Sequence, residues 1–74
     1  SHEPIFNQPT TFAEANKLFL EGRYTDSLVR YVSLVKNKPS FLPYKEAAVR
    51  AYLKAKDKEQ PVQRELVEFI KAFL

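Results

Sequence analysis

One glycine in 74 residues, Gly22, is the feature that most narrows the folds open to this chain. It stands inside "LFLEGRYTDSLVRY", Leu18 to Tyr31, between two stretches whose apolar residues recur at helical spacing. A helix C-terminus commonly ends on a residue in the left-handed backbone region, which glycine enters without the steric cost of a Cβ. Gly22 therefore predicts the end of one helix, with a second beginning two or three residues later. So short a connection forces the pair antiparallel, as a helical hairpin.

The flanking sequence predicts four helices. Thr11-Phe12-Ala13-Glu14 is a capping-box pattern, in which the Thr hydroxyl and the Glu carboxylate satisfy each other's backbone N–H groups. A first helix runs from Phe12 to Glu21, with Phe12, Ala15, Leu18 and Phe19 as its apolar stripe. A second runs from Tyr24 to Lys36, its first turn served by Thr25 or Asp26, with Leu28, Tyr31, Val32 and Val35 on one side. Asn37 to Pro39 ends it. A third is expected from Pro43 to Lys56, its stripe Tyr44, Ala47, Ala48, Ala51, Tyr52 and Ala55, whose alanines allow close helix approach, with Val49 and Leu53 widening it. After a polar break at Asp57 to Gln60, Pro61 is expected to open a fourth helix reaching Leu74 and carrying Val62, Leu66, Phe69, Ile70 and Phe73. No stretch alternates with period two, so no strand is expected. Residues 1–10 read as an extended lead-in, with Ile5 and Phe6 tucking against the first helix, and residues 11–74 as a single helical domain. Ser1-His2 is expected to be a tag remnant, and, with no methionine in the sequence, the chain is expected to be a fragment of a larger protein.

Composition excludes several classes of function. The chain holds no cysteine, and its one histidine is His2, so no Cys or His nucleophile system, metal-ligand cluster or serine triad can be assembled in the helical region. One glycine cannot build a phosphate-cradling loop. Glu65 and Glu68 read as a solvated helix face rather than an acid/base pair. We expect no catalytic residues, no metal and no cofactor. Twelve Lys/Arg against nine Asp/Glu leave a mild +3, and the basic residues are dispersed, which argues against nucleic acid as partner. The third-ranked alternative is an anionic surface or nucleic acid contacted by Arg50, Lys54, Lys56 and Lys58. No apolar run approaches the roughly 18 residues of a membrane span.

The segment "AEANKLFLEGRYTDSLVRYVSLVKNKP", Ala13 to Pro39, resembles a tetratricopeptide repeat, a family of antiparallel helix pairs with a period of about 34 residues. Ala15, Leu18-Phe19, Gly22-Arg23-Tyr24, Ser27, Tyr31 and Pro39 stand at the intervals of that pattern. Beyond Pro39 the register shifts. Aligning Ser27, Tyr31 and Leu34 with Leu66, Ile70 and Phe73 takes a step of 39 residues, which implies a longer third helix or an insertion before Pro61.

The resemblance implies an all-α fold of four helices in two antiparallel helix-turn-helix pairs with right-handed stacking. It also implies a non-catalytic scaffold or adaptor that binds a peptide or helix of another protein in a groove lined by the first helix of each pair. On this chain those groove residues are Phe12, Asn16, Phe19 and Leu20, joined by Glu46, Arg50, Leu53 and Lys54. In the family an Asn at the position of Asn16 can hold a peptide backbone or terminal carboxylate, although Phe12 stands where a basic companion is usual. The alternative reading is structural. The apolar ending "LVEFIKAFL" exceeds what one face of two hairpins buries, so the chain would self-associate through its last helix or belong to a longer array.

Overall fold

The computed structural model describes residues 10–74; the expected lead-in, with Ile5 and Phe6, lies outside them apart from Thr10. The fold is all-α: α1 (Phe12–Leu20), α2 (Tyr24–Asn37), α3 (Leu42–Asp57) and α4 (Arg64–Lys71), with no strand among the described residues. Helix α2 lies at the centre, packed on α1 on one side and α3 on the other, and α4 closes against α3. Ring contacts of Phe19 with Tyr24 and of Phe12 with Tyr31 set α1 and α2 antiparallel. Lys45 over Phe73 sets the start of α3 against the end of α4.

The capping box forms as the sequence predicts. The Thr11 N–H donates to Glu14 Oε1 at 2.8 Å, and the Glu14 N–H donates to Thr11 Oγ1 at 3.2 Å. Gly22 has φ +80° directly after α1. The Arg23 N–H reaches back to the Leu18 carbonyl and the Gly22 N–H to that of Phe19, both at 3.0 Å, so the helix ends in a Schellman motif. The same motif ends α3, where the Gln60 N–H donates to Ala55 O and the Glu59 N–H to Lys56 O. Glu59 takes the left-handed position there, with φ +56°, although it carries a Cβ.

The two turns lie side by side, and Gln60 ties them together. Its Oε1 accepts from the N–H groups of Tyr24 and Thr25 at 3.0 and 3.2 Å, and its Nε2 donates to the Gly22 carbonyl at 2.8 Å. Thr25 Oγ1 donates to the Pro61 carbonyl at 2.8 Å. Helix α2 starts at Tyr24 as expected, with Asp26 in its first turn paired to Arg23 at 2.7 Å, but its N-cap Arg23 makes no side-chain cap. The first N–H groups of the helix, which have no partner within it, are satisfied from the other hairpin.

The core is aliphatic and small-residue rich. Leu28, Val32 and Val35 of α2 meet Ala47, Ala48 and Ala51 of α3, with Leu66 and Ile70 of α4 fully buried beside them. Ser27 is also fully buried, its Oγ donating to the Tyr24 carbonyl at 2.8 Å. Tyr31, Val35, Ala48, Leu66 and Ile70 are buried as the helical stripes predict, whereas Leu18 is only half-buried. Of the α1 stripe Ala15 alone is fully enclosed, because α1 is a flank and touches the bundle on one side.

Helix α4 is much shorter than expected. Pro61 does not open it; Pro61 to Gln63 are non-helical, and Gln63 is its extended N-cap. The Gln60 clamp and the Thr25–Pro61 hydrogen bond hold this segment against the first turn, which delays the start of the helix. Gly22 and Glu59 stand 37 residues apart, while the step between the buried rows of α2 and α4 is 39, so part of the length beyond a period of about 34 residues precedes Glu59, where α3 is longer than α1, and only the last two residues lie in this connection. The apolar ending is largely accommodated: Val67, Phe69 and Phe73 pack half-buried against the core, and Leu74 remains exposed.

Candidate partner-binding surface

Helix α3 carries apolar residues on two sides. Its alanines and Tyr52 face the core. Leu42 and Leu53, at i and i+11, face outward, 60% and 54% exposed, and Val49 between them at i+7 is half-buried against the core. Eleven residues of helix place the ends of this seam about 16 Å apart. The seam is one wall of an open groove of about 700 Å³ whose other wall is Phe73, just past α4. Lys45, Glu46 and Arg50 line the same groove.

The expected site residues divide accordingly. The structure brings Glu46, Arg50 and Leu53 together in this groove, and Lys54 is exposed one turn beyond Arg50. None of the four α1 residues lines it. Phe12 is half-buried in an aromatic cluster, its ring centroid 5.8 Å from Tyr31 and 5.3 Å from Tyr44. Phe19 packs edge-on against Tyr24 beneath the Gly22 turn, centroids 5.0 Å apart. Leu20 is 85% exposed at the end of α1. Asn16 is half-buried and its Oδ1 accepts from the Tyr31 hydroxyl at 2.5 Å. Burial raises the Tyr31 pKa, partly offset by Arg50, so at neutral pH the hydroxyl keeps the proton that it donates. This bond ties α1 to α2 and engages the Asn16 carbonyl oxygen within the fold.

Phe73, Lys45 and Leu42 are groove residues that sequence reasoning did not single out. Phe73 reads as core by periodicity and Lys45 as one cation among twelve. Only the antiparallel return of α4 sets them together, with Lys45 Nζ 5.6 Å from the Phe73 ring centroid. A second, more apolar recess adjoins the first around this same pair. Val35 and Phe69 line it, and Lys36 Nζ lies 5.6 Å from the Phe69 centroid.

Among the described residues no group of three or more His, Cys, Asp or Glu could hold a metal ion, and no helix is long and apolar enough to cross a membrane. Comparison of the chain with protein-family models, with characterised proteins and with solved structures finds no match.

Proposed function

We propose that the chain is a non-catalytic protein–protein interaction module of tetratricopeptide-like design, binding a peptide or helix of another protein on the outer face of its second hairpin. The observation that carries this reading is the α3 seam. A helix with one face in the core normally turns polar residues outward, yet α3 keeps Leu42 and Leu53 exposed on its outer side, with half-buried Val49 between them and Phe73 beside them. The bundle holds that row rigid, so a partner meets a preformed surface.

Self-association through α4 is the second reading. Leu74 is 66% exposed, three residues beyond α4, a helix that packs chiefly on α3. Sedimentation velocity across a range of concentrations separates the two: a concentration-independent monomer supports the module, and a dimer that weakens on Leu74→Ser supports self-association.

The test of the module is selection of random displayed peptides on the immobilised chain. Enriched peptides should lose binding to the Leu53→Ser variant while its melting temperature stays within a few degrees, since surface changes cost within about 0.5 kcal/mol. Peptides that bind the variant equally well, or no enrichment over a blank surface, would refute the reading.

A further inference from the structure

We infer that the occupant of the groove is an acidic amphipathic helix of a partner protein; this deepens the module reading above and rests on it. Three observations define the occupant. First, the seam is long and straight, about three turns of α3, and matches apolar anchors repeated along a rod rather than one inserted side chain. Secondly, the α3 wall is a helix whose backbone groups are bonded within it, and Phe73 stands in a turn after α4, so the groove offers no strand edge. An extended peptide gains no backbone pairing against Leu42, Val49, Leu53 and Phe73, whereas a helix brings its backbone groups already satisfied and sets a row of apolar side chains against them.

Thirdly, the charge is one-sided. The two recesses meet at the Lys45–Phe73 pair and form one continuous surface. The ionisable groups lining it are Lys36, Lys45 and Arg50 against Glu46 alone, and Lys54 stands one turn beyond Arg50. Lys36 and Lys45 lie over the Phe69 and Phe73 rings, which places positive charge beside the apolar floor. Carboxylates flanking a row of apolar anchors meet these cations, while a basic helix meets like charge, and such juxtaposition sets partner choice. The bundle already seats a helix in a comparable way: α3 lies along α2 and reaches α1 through Tyr44 and Phe12.

Two fluorescently labelled synthetic helices of about four turns test the inference. Both carry leucines at i, i+4, i+7 and i+11; one has glutamates flanking the leucines, and the other has lysines in their place. In anisotropy titrations the glutamate helix should bind at least about tenfold more tightly, which is about 1.4 kcal/mol. The difference should shrink as salt rises. Arg50→Glu, a change at an exposed position, should narrow the preference, and Arg50→Glu with Lys45→Glu should reverse it. Leu53→Ser should weaken the glutamate helix. Equal binding of both helices, or a preference that Arg50→Glu leaves intact, would overturn the acidic helix while leaving the module reading standing if display selection still yields Leu53-dependent peptides. Binding of neither helix would also overturn it, and failure of the display selection as well would remove the module reading with it.

Discussion

At the scale of single residues, two equivalent turns carry different side chains in the same backbone conformation. Gly22 and Glu59 both sit at positive φ after a helix, with matching Schellman hydrogen bonds. A Cβ placed on Gly22 would meet nothing within 4 Å, so any penalty there comes from the backbone and not from packing. Gly22→Val should therefore cost roughly 1–2 kcal/mol in urea unfolding, with unchanged m-value. An unaltered midpoint would show that the turn tolerates a β-branched residue. The reverse argument applies to Glu59, which is exposed and already strained. Glu59→Gly should stabilise by about 0.5–1 kcal/mol, the relief at positive φ exceeding the added freedom of the unfolded chain. Glu14 adds a pH dependence. The Thr11 N–H, then its hydroxyl, hold the Glu14 carboxyl below the usual glutamate range. Its folded-state pKa is thus depressed, so its contribution is present above the unfolded value and lost as pH falls through the folded one. Acidification below about pH 5 should lower the wild-type melting temperature more than that of Glu14→Gln; parallel pH profiles would sink this assignment.

At the scale of elements, the helices were legible from periodicity wherever local signals agreed. The capping box, Gly22 and the alanine row of α3 each fix structure through neighbours in sequence, and α1 to α3 begin and end within a residue or so of expectation. What periodicity missed is settled between distant residues. Pro61 looks like a helix opener when read alone, but Gln60 is drawn into bonds with Gly22, Tyr24 and Thr25, and the helix starts later. A glutamine in a polar break carries no mark of that role. Its removal should be felt at the far hairpin. Gln60→Ala leaves two α2 N–H groups and the Gly22 carbonyl without this partner, and it should cost about 1–2 kcal/mol, the usual loss on deleting a helix cap. Hydrogen exchange at Tyr24 and Thr25 is the direct check. Exchange there that does not accelerate in the variant would mean the clamp is dispensable.

At the scale of the whole molecule, the candidate surface was half legible. Glu46, Arg50 and Leu53 share a helix face by spacing alone, so sequence finds them; Phe73 joins them only through the return of α4. The α1 candidates fail to line that groove because aromatic packing and the Tyr31–Asn16 hydrogen bond turn Phe12, Phe19 and Asn16 to holding α1 on the bundle. The groove thus depends on α4 keeping its place, and α4 has only eight residues. Two turns of helix are not stable alone in water, so α4 must draw its stability from what it buries. Leu66 and Ile70, both fully enclosed in the cluster containing Leu28 and Val32, supply most of it. Leu66→Ala should lose about 2–5 kcal/mol, against a total of roughly 4–11 kcal/mol for a domain of this size. Because the cluster spans all four helices, the loss should appear as one shifted transition, with helicity and tyrosine fluorescence melting together. If the variant instead loses only a fraction of its helicity early and melts the rest at the wild-type midpoint, α4 folds as a separate unit and the groove wall at Phe73 opens independently of the bundle.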